Sequence, residues 1–228
     1  MAAVQNKKRR KKSIICLLAV ALFFSHTKLW GEDMKTTNLP KPKLKGAVSV
    51  EEAIQKRRSV RAYASKKISI EDISQLLWAC QGITDTAKEL RASPSAGALY
   101  PLEIYVAKFD GLFHYIPKEH NLEVVSDKDL RGDLAQACYG QGFVKEAAID
   151  IVICAVYERI TSKYGDRGIR YTDMEAGHAA QNVFLEAVAL GLDSVPVGAF
   201  TDAAVSRVLN LPKDVKPLYI LPVGYNKR

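Results

Sequence analysis

The polar and apolar positions along the chain follow two patterns, one typical of strands and the other of amphipathic helices. Residues 102–117 form two apolar runs on either side of Asp110 and Gly111, which predicts two strands joined by a tight turn. The run AIDIVICAVY predicts a buried strand, and PLYILPVGY predicts the last strand. Because helical segments separate these strands and a hairpin lies among them, the pattern favours an α+β fold over a purely parallel sheet.

Two serines mark the predicted starts of helices. Ser49 is followed three residues later by Glu52, and Ser69 by Asp72, which is the spacing of a capping box. We expect the second of these helices to end at Gly82, where a left-handed cap costs glycine little.

Three further helices are predicted in the second half of the chain. One starts at Ser126, and the longest spans residues 171–190 and is closed by Gly191. A short helix starts at Asp202.

Residues 1–31 have the pattern of a secretory leader. They contain seven Lys or Arg and no acidic residue, and the apolar run IICLLAVALFF follows the basic cluster. That run is too short to cross a bilayer as a mature helix. We therefore expect a prokaryotic protein that is exported to the periplasm, or one held at the membrane by an uncleaved N-terminal segment. Cys16 lacks the neighbouring residues typical of a lipoprotein.

Residues 32–47 contain two X-Pro units and few large apolar residues, which predicts an extended arm or linker. Residues 48–228 then form one continuous domain, a length that suits a single core.

The net charge of +8 comes from 33 basic and 25 acidic residues. Seven of the basic residues lie in the leader, so the rest of the chain carries 26 basic residues against 25 acidic ones. This balance gives no electrostatic basis for nucleic-acid binding.

The cysteines and histidines after the leader have no spacing typical of a metal site or of a disulfide framework. Cys80 and Cys154 lie within apolar runs, where a small buried thiol is the simpler interpretation.

Three arginines within five residues, in the stretch RRSVRAY at 57–63, either bind an anion or cover a solvated surface. If the first helix continues to about Arg58, Arg57 and Arg61 lie one turn apart. Two other segments favour a ligand. The small residues of PSAGA at 94–98 would let backbone approach a flat molecule, and the turn VPVGA at 195–199 would display backbone N–H groups. Each segment alone also fits an ordinary loop.

Six motifs in this order and spacing resemble the nitroreductase superfamily of FMN enzymes, and within it the SagB-type, or thiazole/oxazole-forming, dehydrogenase branch. The resemblance covers residues 48–225 and rests on these stretches: RRSVRAY, PSAGALYP, GQGFVKEA, YGDRGIRYTDMEAGHAAQNVFLEAVALGL, VPVGAF and LPVGY. It implies a central mixed, mainly antiparallel sheet flanked by helices. It also implies an interlocked homodimer with FMN at the subunit interface.

The resemblance assigns the phosphate and ribityl chain of FMN to Arg57 and Ser59, with Arg58 beside them. It places Arg61 at the pyrimidine edge of the flavin, with a less secure polar contact from Gln141. The resemblance also implies two loops that contact the flavin. One loop, Pro94, Ser95 and Ala96, lies against the flavin from the other subunit. The other loop lies behind the ring and presents N–H groups to it; it consists of Pro196, Val197, Gly198 and Ala199.

Many superfamily members continue past the last strand and return basic residues to the phosphate, whereas this chain stops at Arg228. Lys227 and Arg228 could take that part, or Arg57 and Arg58 could hold the phosphate largely alone. Because the cofactor carries the reaction, Glu175 and His178 of the long helix are not required as catalytic residues.

These features predict an FMN-dependent oxidoreductase with a small-molecule substrate, alternate two-electron reduction and reoxidation, and no metal. NAD(P)H is the expected electron donor of nitroreductase-like members, whereas the azoline dehydrogenases oxidise a modified peptide. The alternative is an exported flavin-binding protein without turnover, which acts as a carrier or regulator.

Overall fold

This computed structural model describes residues 35–227. The predicted leader at 1–31, with Cys16, and the C-terminal Arg228 lie outside the described residues. Within 35–227, no helix is both long enough and apolar enough to cross a membrane.

A seven-stranded sheet forms the centre of the domain. Its order is β1-β6-β5-β4-β7-β9-β8, and all neighbouring strands are antiparallel. A parallel bridge between Ser59 and Ser194 extends one edge, so the sheet is mixed and mainly antiparallel, as expected. A separate small sheet pairs β2 with β3. The strands are β1 Thr36–Asn38, β2 Ile83–Asp85, β3 Leu90–Arg91, β4 Leu102–Lys108, β5 Gly111–Ile116, β6 Asn121–Ser126, β7 Ile149–Val156, β8 Asp193–Ser194 and β9 Val215–Gly224.

Helices cover both faces of this sheet. They are α1 Val50–Lys56, α2 Ile70–Gln81, α3 Arg131–Ala137, α4 Gly142–Glu146, α5 Glu158–Tyr164, α6 Arg167–Ala189 and α7 Asp202–Val208. The fully buried strand β7 contributes side chains to the hydrophobic clusters on both faces of the sheet, because alternate side chains of a strand point to opposite faces. Ile151 and Ile153 pack with α2 and α6, whereas Val152 and Cys154 pack with α3, α4 and α7.

The local signals that predicted element starts and turns are largely confirmed. The Ser49 hydroxyl accepts a hydrogen bond from the backbone N–H of Glu52, and the Ser69 hydroxyl accepts one from Asp72. The turn at Asp110 and Gly111 joins β4 to β5. Cys80, Cys138 and Cys154 are all buried free thiols.

One predicted cap conformation and one predicted helix start are wrong. Gly82 ends α2 in an extended conformation, φ −65° and ψ 153°, and not in a left-handed cap. A Cβ at this position would lie 2.4 Å from Cδ1 of Trp78, so the space beside the indole favours glycine there. Ser126 is the last residue of β6, and the next helix starts only at Arg131.

The longest helix is longer than predicted. It begins at Arg167, four residues before the expected start, and ends at Ala189. Gly191 follows it with φ +72°, in agreement with the predicted helix end.

Part of the predicted arm belongs to the sheet. Strand β1 pairs with β6, and Leu39 after it is buried in the core. The carbonyl oxygen of Pro40 accepts a hydrogen bond from the hydroxyl of Ser74 at 2.5 Å and lies 3.0 Å from Nε2 of His120. These contacts tie residues 36–40 to the domain.

We expect a chain that starts at Lys35 to fold as the full chain does, whereas one that starts at Val48 loses stability. Removal of residues 35–47 deletes β1 and exposes the pocket of Leu39, a change that costs about 3 kcal/mol for a buried leucine. Urea unfolding of both chains measures the difference, and Leu44→Ala is the control because that side chain is 81% exposed. Equal stability of the two truncated chains would show that the arm contributes nothing.

Candidate functional site

The arginine stretch leaves the helix earlier than the sequence suggested. Helix α1 ends at Lys56, and Arg57 has φ −54° and ψ 122°, which is not helical. The condition under which Arg57 and Arg61 would lie one helical turn apart is therefore not met. The segment instead runs alongside β8, with a parallel bridge between Ser59 and Ser194.

The three arginines differ in their surroundings. Arg58 is exposed, and its Nη1 donates to the carbonyl oxygens of Gln55 and Arg57 at 2.8 and 2.7 Å. Arg57 is half-buried, and Arg61 is exposed with its guanidinium carbon 5.9 Å from the centre of the Phe143 ring. Within residues 35–227, none of the three forms an ion pair with a carboxylate. Their charge is available to an anion from outside the protomer.

The turn after β8 lies next to this segment. The backbone N–H of Val60 donates to the carbonyl oxygen of Ser194 at 3.2 Å. Val197 and Ile220 exchange two backbone hydrogen bonds, so the turn is fixed to the central sheet through β9. The N–H of Val197 is thereby used within the protein.

Gly198 and Ala199 are the members of the turn that can donate to a ligand. Both are exposed, and within the described chain their N–H groups make no hydrogen bond, whereas Pro196 has no N–H group. Gln141 supports the turn, because its Nε2 donates to the carbonyl oxygens of Ala199 at 3.0 Å and Cys138 at 2.9 Å.

The C-terminus joins the same region. The backbone N–H of Lys227 donates to the carbonyl oxygen of Ala62 at 3.1 Å, and Asn226 bridges Tyr63. Lys227 is exposed beside the arginine stretch, so the prediction that it could reach the phosphate is compatible with its position.

The loop at 94–98 contains left-handed backbone. Gly97 adopts φ +64° at little cost, whereas Ala98 at φ +53° and Tyr100, just after the loop, at φ +47° are strained. Such conformations cost non-glycine residues on the order of 1 kcal/mol or more each and cluster at functional sites. The Ser95 hydroxyl accepts a hydrogen bond from the backbone N–H of Tyr100 at 2.9 Å, which holds the loop closed.

Two polar side chains that the sequence analysis did not single out approach this loop. A Cβ at Gly97 would lie 2.8 Å from the hydroxyl of Tyr164 and 3.0 Å from Nζ of Lys163. A phenol and an ammonium group therefore stand at the loop that the family resemblance places against the flavin. Both lie in α5, and only the three-dimensional contact distinguishes them from other surface residues.

A buried polar cluster lies beneath the same loop. Glu175 of α6 is 2% exposed, and neither of its carboxylate oxygens has a hydrogen-bond partner within the described residues. Burial raises the pKa of Glu175 to about 7, against the opposing influence of Ser95, Arg91 and Gln81. Arg91 donates to Oε1 of Gln81 at 3.1 Å.

His178, in contrast, is exposed on the surface of the protomer and is not a core histidine. Among residues 35–227, no group of three His, Cys, Asp or Glu side chains could hold a metal ion.

Within residues 35–227, no hydrogen bond or ion pair joins the loop at 94–96 to the arginine stretch or to the turn at 196–199. Hydrogen bonds and bridges of the described chain thus connect the arginine stretch with β8, which leads into the turn, and the loop at 94–96 has no such link to them. The contact of this loop with a ligand held by another subunit stays a prediction.

This mainly antiparallel sheet flanked by helices is a nitroreductase-like fold. The family model "Nitroreductase family" matches residues 54–225. The chain belongs to the nitroreductase family.

Individual relatives agree with this assignment. The chain is 43% identical to a protein of Methanocaldococcus jannaschii assigned to the nitroreductases, over 78% of this chain and 91% of the relative. It is 29% identical to the microcin B17-processing protein McbC of Escherichia coli, over 68% of this chain and 61% of McbC. It is 30% identical to the NADPH-flavin oxidoreductase of Vibrio harveyi, over 44% of this chain and 45% of that enzyme.

A solved structure confirms the fold. A protein of Ralstonia eutropha JMP134 assigned to the nitroreductases superposes with a TM-score of 0.78 at 26% identity, covering 87% of this chain and 93% of that one. The similarity to McbC supports the resemblance to the SagB-type dehydrogenases.

The residues present fit a flavin mononucleotide. A phosphate requires cations that are not neutralised by carboxylates, and within the described residues Arg57 and Arg58 meet that condition. The polar edge of the flavin ring requires N–H donors, which Gly198 and Ala199 supply.

Proposed function

We propose that this protein is an FMN-dependent oxidoreductase that is alternately reduced and reoxidised by two electrons at a site formed between two copies of the chain. The observation that carries the proposal is the position of three arginines beside a turn with two exposed residues, Gly198 and Ala199. Within residues 35–227 the arginines have no carboxylate partner and the N–H groups of Gly198 and Ala199 make no hydrogen bond. Membership of the nitroreductase family supports the same chemistry.

The bound flavin supplies hydride transfer, and the protein binds it and adjusts its reactivity. Arg57 and Ser59 hold the phosphate and ribityl chain. Arg61 places positive charge near the pyrimidine edge, where reduction adds negative charge, and so stabilises the reduced form. Gly198 and Ala199 donate to the opposite edge of the ring. Arg58, with its Nη1 already bonded to the helix end, adds positive charge beside the phosphate.

We propose NADPH or NADH as the electron donor. The support is the similarity to the NADPH-flavin oxidoreductase of Vibrio harveyi, which shares 30% of residues over 44% of this chain. A small oxidised molecule such as a quinone or nitroaromatic is the proposed acceptor. Oxidation of a modified peptide is a second candidate, favoured by the similarity to the microcin B17-processing protein McbC.

A flavin carrier or regulator without turnover is the alternative of another class. The two are separated by anaerobic mixing of the flavin-loaded protein with NADH or NADPH, followed by a quinone or nitroaromatic acceptor. An enzyme loses its visible flavin absorbance with the donor and regains it with the acceptor over many cycles. If the flavin keeps its oxidised spectrum with both NADH and NADPH, the result would favour the carrier.

We also propose that the chain is exported, from the leader pattern at residues 1–31. N-terminal sequencing of the protein from the periplasmic fraction would locate a cleavage site. Recovery of the intact N-terminus in the membrane fraction would indicate an anchor, and recovery only from the cytoplasm would contradict export.

A further inference from the structure

Glu175 is a buried acid beside the loop at 94–96. It lies in the middle of α6, with 2% of its surface exposed, and faces the loop at 94–96 from below. Buried carboxylates normally accept several hydrogen bonds, since an unpaired charge is costly in the interior. Neither oxygen of Glu175 has a hydrogen-bond partner within residues 35–227.

A hydrogen-bond donor near Glu175 also lacks a partner within the described residues. The amide nitrogen of Gln81 is also buried without a hydrogen bond, while its amide oxygen is taken by Arg91. Ser95 and Gln81 act on the carboxylate, but neither reaches it with hydrogen-bond geometry. An acid placed among so few donors is more stable as the neutral form, which is why burial raises its pKa to about 7.

Several charged side chains lie around Glu175, Gln81 and Ser95. Arg91, half-buried with its guanidinium carbon 4.5 Å from the centre of the Tyr100 ring, lowers the pKa of Glu175. Glu103 and Arg159 in turn act on Arg91 with opposite signs. From α5, Lys163 and Tyr164 reach the same loop at Gly97. The net effect leaves Glu175 close to the balance point between its two protonation states at neutral pH.

We propose that Glu175 is a positioning residue that binds one proton when the flavin of the proposed function is reduced, and thereby sets how the reduction potential of the site depends on pH. The inference rests on the proposed function. Two electrons enter the site from the donor, and the added negative charge raises the affinity of Glu175 for a proton. One proton from solvent then bonds to a carboxylate oxygen. Glu175 itself is neither oxidised nor reduced.

The loop at 94–96 connects Glu175 with the cofactor. Ser95 acts on the carboxylate from one side, and the resemblance places the other side of this loop against the flavin. The hydrogen bond from the backbone N–H of Tyr100 to the Ser95 hydroxyl holds the loop closed beside the acid. A proton on Glu175 therefore affects the flavin through charge and through the position of the loop, without direct contact.

The midpoint potential of the flavin-loaded protein tests this inference. We expect the potential of the wild type to fall more steeply with pH between about 7 and 8.5 than that of Glu175→Gln. The difference should approach about 30 mV per pH unit, because one extra proton per two electrons is a tenfold effect on the equilibrium per pH unit.

Glu186→Gln is the matched control. Glu186 lies on the same helix, and burial also raises its pKa, but it faces Gln75 and the cavity beside Trp78. This variant should follow the wild type at every pH. Identical slopes for the wild type and Glu175→Gln would overturn the inference while leaving flavin binding intact. A wild type that binds no FMN would instead contradict the proposed function itself.

A second measurement applies if Glu175→Gln does not fold. Reduced-minus-oxidised infrared difference spectra of the wild type at pH 7.5 should show a protonated carboxylic acid that forms on reduction. Its C=O band should move when the protein carries carboxyl-13C glutamate. If no glutamate band responds to reduction, Glu175 does not take up the proton.

Discussion

We expect replacement of Arg57 by alanine to weaken the proposed FMN binding by about tenfold to a hundredfold. A charge-assisted hydrogen bond to a phosphate contributes on the order of 1.5 to 3 kcal/mol, which corresponds to this change in affinity. Arg57 is half-buried at the end of α1 and has no carboxylate partner within the described residues. The loss should therefore appear as weaker binding and not as a loss of folding.

The dissociation constant of FMN, measured by quenching of flavin fluorescence, checks this expectation. Lys56→Ala is the control, because Lys56 is the adjacent cation, pairs with Glu52 at 2.5 Å and has a 61% exposed side chain. It removes the same charge with little effect on affinity. Equal losses in both variants would mean that general positive charge, and not Arg57, attracts the phosphate.

We expect replacement of Arg61 by alanine to leave FMN bound but to make the flavin harder to reduce. Reduction adds negative charge at the pyrimidine edge, so removal of a cation there lowers the midpoint potential. We expect a decrease of about 30 mV, equivalent to about 1.4 kcal/mol for two electrons. Arg61 is exposed beside Phe143 and has no ion-pair partner among residues 35–227, so a cofactor can use its charge.

A redox titration at constant pH measures this shift, with Arg61→Lys as the matched variant. Lysine retains the charge and should recover most of the potential, although it lacks the planar guanidinium. If Arg61→Ala changes neither the midpoint potential nor the affinity for FMN, Arg61 is a solvated surface residue and does not act on the flavin.

Local signals in the sequence predicted the elements that depend on local physics. The serine caps of α1 and α2 and the turn at Asp110 and Gly111 are determined within four or five residues, so their patterns could be recognised directly. Strand β7 was equally clear, because eight consecutive buried residues require an unbroken apolar run.

The errors arose where distant contacts decide the conformation. Gly82 is extended, and the indole of Trp78, not a positive φ, limits what fits there. Residues 36–38 form a strand because β6 offers an edge for pairing, a contact across more than eighty residues. Such pairings have no local signature.

For the candidate site, family motifs pointed to the arginine stretch and to both loops, and their roles stay predictions. The motifs gave no information about which N–H groups remain unbonded. The structure shows that β9 already uses the N–H of Val197, which leaves Gly198 and Ala199 as donors. The sequence alone assigned no role to Glu175, because a helical pattern reveals neither its burial nor its lack of hydrogen-bond partners within the described residues.

The visible absorption spectrum of the purified protein, followed by identification of the released flavin, tests the central claim most directly. We predict a yellow protein, or a colourless one that becomes yellow on addition of FMN, with a flavin that co-migrates with FMN and not with FAD or riboflavin. A protein that remains colourless and gains no flavin absorbance at saturating FMN would contradict the account.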